Sequence, residues 1–339
     1  MRVLVIGGRG FIGPYVVNQL LGKGHQVTLF NRGQTNTKDF QNIPHIKGDF
    51  EELEKYKEQF KEINPDVVLH MVAMNERVAK KTVDVFEGIA RRIVVPSSMD
   101  VYKAYGIVRK KEDAELIPTP MSESAPLRSN YFPHGGETEK ILVEKAVLSN
   151  PKLPGTILRL PMVYGPGDEY RIFNYLKRMI DNRPFIVMDR ERAKWRGTRG
   201  YVENVASAIA AAIVDENAKN KIYNVGDNYI LSEQEFVEQI AGAINWNGEI
   251  KLISRSDIPT ELVDYLPVHI VGNNNYKQDW VTDTSLIRRE LNYKDVVPLN
   301  QAIKSTVIWN QTNQPKKQHK DFNPSENDYK YEDKILELL

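Results

Sequence analysis

The fold is decided by the stretch Val3-Leu4-Val5-Ile6-Gly7-Gly8-Arg9-Gly10-Phe11-Ile12-Gly13. Its four apolar residues predict a short buried strand, and the glycines that follow at once predict a tight turn into a helix. Gly7 permits the turn, Gly10 lets the backbone come close to a pyrophosphate, and Gly13 lets the helix pack closely on the strand. The spacing therefore predicts a dinucleotide-binding loop.

The predicted helix opens at Phe11 and Ile12, where backbone N–H groups without a helical partner would receive the phosphates. A glycine-rich turn without any ligand is the alternative. The dinucleotide is favoured because the glycines lie between a strand and a helix, and because a second predicted strand, Gln26–Phe30, follows at the expected distance.

The alternation of strands and helices continues through the first half of the chain. Short β-branched runs predict buried strands at Asp66–Met71, Arg92–Pro96 and Gly155–Arg159. Apolar residues at helical spacing predict helices at Phe11–Leu21, Glu51–Glu62, Arg77–Ile89 and Glu137–Leu148. We therefore predict an α/β protein, a Rossmann-type doubly wound parallel sheet with a smaller C-terminal α/β substrate lobe.

The domain boundaries follow from where this pattern becomes irregular. We predict a dinucleotide-binding domain from residues 1–165 and about 201–226, and a substrate-binding lobe from about 166–200 and 227–310. Residues 311–339 are predicted to be a polar tail, since much of this stretch is rich in Gln, Asn, Lys and Pro. Tyr329–Leu339 is predicted to end it with a short amphipathic helix.

Composition excludes several classes of function. The 339 residues include 46 basic and 45 acidic ones, so no net charge draws the protein to nucleic acid or to a membrane. There is no cysteine, which excludes thiolate chemistry and fits a reducing compartment. No apolar run has the length of a membrane span, and the six histidines lack metal-binding spacing. We expect a cytoplasmic protein that binds a small molecule and no metal, nucleic acid or membrane.

The end of the second predicted strand bears on the choice of cofactor. An acidic residue at this position would bind the ribose 2′-hydroxyl of NAD and repel a 2′-phosphate. The chain has Asn31 and Arg32 there, and Arg9 lies in the glycine loop. Two guanidinium groups suit the 2′-phosphate of NADP, so these residues favour NADP over NAD. The alternative is that both arginines are solvated surface charges. Asp49 is a candidate adenine contact, or else it caps the next helix.

Further motifs follow in order along the chain. They are Ser97-Ser98-Met99-Asp100-Val101-Tyr102, Arg159-Leu160-Pro161-Met162-Val163-Tyr164-Gly165-Pro166, Arg199-Gly200-Tyr201-Val202-Glu203-Asn204-Val205-Ala206 and Tyr223-Asn224-Val225-Gly226. Together with the glycine loop, they resemble the extended short-chain dehydrogenase/reductase superfamily in its NAD-dependent epimerase/dehydratase branch. The resemblance covers Met1 to about Trp309. It implies a nicotinamide cofactor whose C4 exchanges a hydride with the substrate.

The resemblance also implies catalytic roles, but one of them is vacant in this sequence. Ser98 matches the family's catalytic hydroxyl, and Lys140 matches its lysine, which also contacts the cofactor ribose. The family's tyrosine stands four residues before that lysine, where this chain has Gly136. The chain therefore resembles an atypical member that lacks the usual proton acceptor near the reacting hydroxyl.

Nearby residues are candidates to replace the missing tyrosine. We predict Tyr131, which lies just upstream, as the catalytic phenol. Tyr102 and His134 are the alternatives to Tyr131. If they have no catalytic role, all three are structural aromatic residues or surface loop residues.

Substrate contacts are predicted on both sides of the cleft. Met162 stands where family members that act on nucleotide sugars carry Asn, and a thioether cannot make the hydrogen bonds of an amide, which disfavours a nucleotide sugar. We predict Tyr102, Trp195, Arg196 and Arg199 as substrate residues, with the arginines holding an anionic group and Trp195 forming an apolar wall. The alternative interpretation is that the stretch around Trp195 is a solvated loop that does not contact the substrate.

Two functions from different classes follow from these patterns. The first is an NAD(P)-dependent oxidoreductase or epimerase/dehydratase-like enzyme that acts on a small polar, anionic or sugar-type substrate. The second is a non-catalytic NAD(P)-binding sensor or assembly module, which the glycine at position 136 motivates. An RNA-binding role is disfavoured by the balanced charge. The resemblance also implies a homodimer paired through Arg77–Ile89 and Glu137–Leu148.

Overall fold

The computed structural model describes residues 1–33, 40, 42–131 and 139–338. Its strands are β1 (Arg2–Ile6), β2 (Gln26–Asn31), β3 (His45–Lys47), β4 (Val67–His70), β5 (Arg92–Ser98), β6 (Gly155–Leu160), β7 (Met162–Tyr164), β8 (Phe185–Asp189), β9 (Arg199–Tyr201), β10 (Lys221–Asn224) and β11 (Glu249–Ile253). Its helices are α1 (Gly13–Gly22), α2 (Lys57–Ile63), α3 (Glu76–Phe86), α4 (Lys103–Val108), α5 (Lys140–Leu148), α6 (Phe173–Ile180), α7 (Arg190–Lys194), α8 (Val202–Val214), α9 (Glu233–Ile244), α10 (Val268–Val271), α11 (Ser285–Glu290), α12 (Leu299–Thr312) and α13 (Glu326–Leu338).

The central sheet has seven parallel strands in the order β10-β6-β5-β4-β1-β2-β3. Strand order reverses at β1, which pairs with β2 on one side and β4 on the other. In such sheets a ligand binds outside the carboxyl ends of the strands at this reversal. The predicted Rossmann-type fold is confirmed.

Side chains of β1 alternate between two separate cores because successive residues of a strand point to opposite faces. Val3 and Val5 pack in the core that α1 and α8 cover. Leu4 and Ile6 pack in the core that α3 and α5 cover. All four side chains are buried. A sheet buried on both faces explains why its strands are continuous apolar runs.

One predicted helix is divided in two. The stretch predicted as Glu51–Glu62 is a 3-10 segment, Phe50–Tyr56, followed by α2. The backbone at Glu52 leaves the helical region, with φ at −123°. Spacing of apolar residues cannot reveal such a break, because the buried positions stay on one side.

Outside the central sheet there are two short parallel strand pairs, β8–β11 and β7–β9, and the helices α6, α9 and α12 pack against one another. We refer to these strand pairs and helices as the second lobe. Ser232 and Glu235 form the reciprocal cap that begins α9. None of the helices in the described ranges has the length and apolar character needed to cross a membrane.

The end of the predicted polar tail is a docked helix. In α13, Ile335 is fully buried in a core that includes Val187 and Leu262. Glu332 forms an ion pair with Arg178 of α6 in which both side chains are completely buried. The predicted helix at Tyr329–Leu339 is therefore present, and it begins at Glu326. Its docking does not follow from composition, because the few residues that carry the contact are spread among many polar ones.

Candidate active site

The glycine loop has the geometry that its spacing requires. Gly7 adopts a φ of +80°, and a Cβ there would lie 2.8 Å from Val72. A Cβ on Gly13 would lie 2.4 Å from the carbonyl oxygen of Gly8. At Gly10, in contrast, a Cβ would meet no atom within 4 Å. Two glycines are therefore required by packing, and the third leaves open space beside the backbone.

Two cavities are relevant to the predicted site, one of about 320 Å³ and a smaller one of about 220 Å³. The smaller one lies on the glycine loop and the end of β2. Its lining residues are Gly7, Arg9, Gly10, Phe30, Asn31, Arg32, Gly33, Phe50 and Val72. Among the residues that the structure describes, this lining includes two arginines and no acidic residue.

Asn31 gives an independent test of whether a ligand fits the smaller cavity. Its side-chain oxygen accepts a hydrogen bond from the N–H of Gly33 at 2.9 Å. Its side-chain nitrogen is buried and has no hydrogen-bond partner within the described ranges. Buried donors are nearly always paired, so this one fits a site that a polar ligand such as the adenosine end of a dinucleotide completes.

The other predicted cofactor residues have clear local roles. Ile12 is the residue that precedes α1, and Pro14 stands in the first turn of that helix. Phe11 packs against Gly167, where a Cβ would come within 2.9 Å of its ring. Asp49 accepts a hydrogen bond from the N–H of Glu51 at 3.0 Å, so it is a helix cap here, as the alternative interpretation held.

Lys140 and Ser98 lie at the same edge of the sheet. The ammonium group of Lys140 donates to the carbonyl oxygens of Ala73 at 2.7 Å and Pro96 at 3.3 Å. Pro96 belongs to β5, which ends at Ser98. Burial lowers the pKa of Lys140 to about 8, although the charge of Asp100 acts in the opposite direction.

Asp100 is a candidate proton acceptor that the sequence analysis did not select. Its backbone N–H donates to the hydroxyl of Ser98 at 3.2 Å. Burial raises the pKa of its carboxyl group, against the opposing effects of Arg128 and of a hydrogen bond with Ser98. One carboxylate oxygen is buried and has no partner among the described residues. The only sequence signal for it is an acidic residue two positions after Ser98, the predicted catalytic serine.

The structure does not bring Tyr131 to this edge. Tyr131 is 54% exposed, and its hydroxyl lies 3.4 Å from the ammonium group of Lys145. Lys145 and Lys140 are separated by about 140° around the axis of α5, given the helical repeat. Gly136 and His134 lie outside the described residues.

Tyr102 lies in the core and not in the substrate cleft. Its side chain is fully buried, and its hydroxyl donates to Asn224 at 2.6 Å and accepts from Arg159 at 2.9 Å. Arg159 is itself paired with the buried Glu144. Tyr102 is therefore a structural residue and not a substrate contact, because the chain turns into the core immediately after β5.

The larger cavity is a cleft lined by residues from the segments 105–109, 162–199, 233–236 and 268–280. Its lining residues are Tyr105, Val108, Arg109, Met162, Arg171, Tyr175, Arg192, Trp195, Arg199, Glu233, Phe236, Val268, Asn274, Tyr276 and Trp280. Trp280 donates from its indole nitrogen to the carbonyl oxygen of Met99 at 3.1 Å, next to Ser98 in the chain. The cleft thus begins beside the edge that carries the predicted catalytic residues.

Electrostatically, the cleft is basic. Its lining contains four arginines and one glutamate, which leaves three positive charges. Arg192 and Arg199 both pair with Glu233. Burial alone would raise the pKa of Glu233, but these two guanidinium groups outweigh it and lower the pKa to about 2. Glu233 is therefore ionised and neutralises only part of the charge.

Two of the predicted substrate residues, Trp195 and Arg199, line the cleft. Arg196 is exposed and is absent from the lining. Arg171 and Arg109 line it and were missed; neither forms an ion pair within the described part of the chain. Arg171 follows a glycine-rich turn, where sequence alone gives no indication of the direction of its side chain.

No group of three or more His, Asp or Glu side chains that could hold a metal ion is found among the residues that the structure describes.

The chain is similar in sequence to several known proteins. The chain is 27% identical over 247 residues to the chloroplast stem-loop binding protein of 41 kDa b from Arabidopsis thaliana, a match that spans 68% of this chain and 60% of that protein. It is 24% identical over 266 residues to the 2-alkyl-3-oxoalkanoate reductase of Stenotrophomonas maltophilia, which spans 72% of this chain and 76% of that protein.

The fold is shared with solved structures. The UDP-glucose 4-epimerase of Thermus thermophilus, solved in complex with NAD, matches with a TM-score of 0.65 and 21% identity over 92% of this chain and 99% of that one. The model of the NAD dependent epimerase/dehydratase family matches residues 3–226, which include the glycine loop, Ser98 and Lys140. The chain belongs to the NAD dependent epimerase/dehydratase family.

Proposed function

We propose that the protein is an NADP-dependent oxidoreductase or epimerase/dehydratase-like enzyme that acts by hydride transfer on a small polar substrate with an anionic group. The observation that carries the proposal is the cleft that opens beside Ser98, whose described lining residues include four arginines and one glutamate. A catalytic edge and an anion-binding cleft in contact with each other are what such a reaction requires.

The preference for NADP rests on the smaller cavity. Arg9 and Arg32 line it together with Asn31, and no carboxylate within the described ranges does. A carboxylate at the end of β2 would repel a 2′-phosphate, whereas guanidinium groups bind it through charge-assisted hydrogen bonds. The unpartnered nitrogen of Asn31 adds one donor for the same ribose.

The residues at the edge of the sheet supply the acid–base chemistry. The bound nicotinamide supplies or accepts the hydride. Ser98 orients the reacting oxygen, and Asp100, which touches Ser98 and has a carboxyl pKa raised by burial, takes the role of the proton acceptor in place of the absent tyrosine. Lys140 contacts the ribose and stabilises negative charge that develops on the reacting oxygen.

The substrate class follows from the shape and charge of the larger cleft. Its volume of about 320 Å³ and its aromatic walls suit a molecule smaller than a nucleotide sugar. Met162 supports this choice because it lines the cleft without offering the hydrogen bonds of an amide. Arg171 and Arg109 are the guanidinium groups available to an anion, since Arg192 and Arg199 already pair with Glu233.

A non-catalytic NADP-binding module is the second candidate, and one observation favours it. Gly136 stands at the position of the family's tyrosine. If Asp100 does not replace that phenol, the cofactor binds but no hydride moves.

A single pair of measurements separates the two candidates. Calorimetry gives the affinity for NADPH and NADH, and loss of nicotinamide absorbance is then followed with a panel of small keto acids, phosphorylated carbonyl compounds and neutral ketones. Turnover limited to the anionic members, and abolished in Ser98→Ala, supports the enzyme. Tight NADPH binding without turnover on any member supports the module.

A further inference from the structure

Residues 313–325, between α12 and α13, form a segment that we name the C-terminal strap. One of its contacts reaches the cleft through α10. The carboxylate of Asp321 accepts a hydrogen bond from the backbone N–H of Val268 at 2.8 Å. Val268 is the first residue of α10, and its side chain lines the cleft. Asp321 thus caps the short helix that forms one wall of the cleft.

A second contact reaches a different wall. The ring of Phe322 packs edge-on against Tyr170, with 4.7 Å between ring centroids. Tyr170 directly precedes Arg171, which lines the cleft and forms no ion pair within the described ranges. Neighbouring residues of the strap, Asp321 and Phe322, therefore hold two different segments of the cleft wall.

The strap itself is internally braced. His319 and Asn323 exchange backbone hydrogen bonds of 2.9 and 2.8 Å, and the ring of His319 stacks on Phe322 at 4.7 Å. The buried side chain of Asn323 donates to the carbonyl oxygen of Pro315 at 2.7 Å. A turn closed in this way presents Asp321 and Phe322 in a fixed relation to each other.

Beyond the strap, α13 anchors it to the second lobe. Glu332 pairs with Arg178 with both side chains fully buried, and Tyr329 donates to Asp181 at 2.6 Å. Arg178 also donates to the carbonyl oxygen of Asn174 at 2.6 Å, in the helix that carries the cleft residue Tyr175. The strap is thus tied at its far end to the element that underlies the cleft.

We infer that the C-terminal strap is a positioning element of the substrate cleft, in which Asp321 and Phe322 fix the separation between Val268 and Arg171. This rests on the proposed function only in treating the cleft as the place where substrate binds. The strap sets the width of the cleft and places the Arg171 guanidinium, so it contributes to the selection of small anionic substrates.

The test uses the full chain with Asp321→Ala and Phe322→Ala, and it needs no knowledge of the substrate. Hydrogen exchange is measured by mass spectrometry in residues 166–173 and 266–272. We expect each variant to accelerate exchange in both segments, roughly fivefold, the effect of losing one modest contact. Lys316→Ala is the matched control, because Lys316 is an exposed residue of the same strap. Asp321→Asn keeps an acceptor oxygen and should behave like the parent protein.

A spectroscopic readout reports on the cleft itself. Two of the four tryptophans, Trp195 and Trp280, line it, so Trp246→Phe and Trp309→Phe are made in the background. Iodide, an anion, should quench the remaining fluorescence about twice as strongly in Asp321→Ala as in the parent, because a loosened wall admits it more readily.

The inference is overturned if exchange changes only near Val268 in Asp321→Ala and only near Tyr170 in Phe322→Ala, with iodide access unchanged. That result would mean two separate surface contacts. Should Asp321→Ala fail to fold, Phe322→Ala decides the question with the same readouts. Calorimetry with NADPH on the parent protein is run in parallel, because failure of NADPH to bind would refute the proposed function without altering the exchange and quenching results.

Discussion

Lys140 donates its ammonium group to the carbonyl oxygen of Ala73 over 2.7 Å, which ties the first residue of α5 to the segment that leaves β4. β4 is the strand beside β1 at the reversal of strand order. The lysine is therefore held at the point where a parallel sheet of this order binds its ligand.

Replacing Lys140 by Met should reduce turnover about a hundredfold and weaken NADPH binding more modestly, because the ribose contact and the positive charge are both lost. Steady-state kinetics and calorimetry measure the two effects separately. Lys145→Met, on the exposed face of the same helix, is the control and should change neither. Equal effects of the two substitutions would contradict the assignment.

The pH dependence of activity follows from the same lysine. Its pKa is lowered from the usual range to about 8, so its charge is present below that pH and is lost as the pH rises through it. We expect kcat/KM to fall on the alkaline side with an apparent pKa near 8. In Lys140→Arg, whose guanidinium stays charged, this alkaline limb should disappear. An unchanged limb would assign it to another group.

Asp100→Asn should lower kcat by about a hundredfold if the carboxylate accepts the proton. Burial raises the pKa of Asp100, so its carboxyl group becomes protonated as the pH falls and can no longer accept a proton. The rate of substrate oxidation by the parent protein should therefore fall on the acid side of the pH profile. This acid-side fall should be absent in Asp100→Asn. Asp113→Asn, an exposed carboxylate further along the chain, is the control. Full activity of Asp100→Asn would leave the missing tyrosine without a replacement.

Cofactor choice should respond to Asn31→Asp. A carboxylate at the end of β2 repels the 2′-phosphate and accepts a ribose hydroxyl, so NADPH affinity should fall and NADH affinity rise, each by about tenfold. Calorimetry with both dinucleotides reads this directly. Asn42→Asp is an exposed control. An equal loss of both affinities would indicate simple damage to the loop.

Arginine substitutions test the cleft. Arg171→Gln should lower the affinity for an anionic substrate by about tenfold or more, since a charge-assisted hydrogen bond is lost. Arg196→Gln, only a short distance away in the fold's second lobe but outside the cleft, should have no effect. If both behave alike, the cleft does not bind the anion.

Several parts of this arrangement were predictable and others were not. The glycine loop and the parallel sheet follow from local patterns, since strand period and turn chemistry act over short stretches. Ser98 and Lys140 come from the family resemblance, and their catalytic roles stay predictions. Tyr102 was misplaced because a motif gives the position along the chain but not the direction in which the side chain turns. Its burial depends on Asn224, more than a hundred residues away.

The basic cleft could be predicted only in part, for a related reason. Trp195 and Arg199 lie in the stretch that precedes α8, which the sequence singled out. Arg109 and Arg171 come from distant segments and meet them only in the folded chain. The pairing of Arg199 with Glu233 of α9 is likewise a tertiary contact, and it reduces the charge that Arg199 offers to a ligand. Long-range ion pairs have no sequence signature.

The central claim, an NADP site built on the glycine loop, is tested most directly by titrating the purified protein with NADPH and with NADH in a calorimeter. We expect saturable binding of NADPH that is at least several-fold tighter than that of NADH, and loss of the difference in Arg32→Ala. Binding of neither dinucleotide would contradict the account.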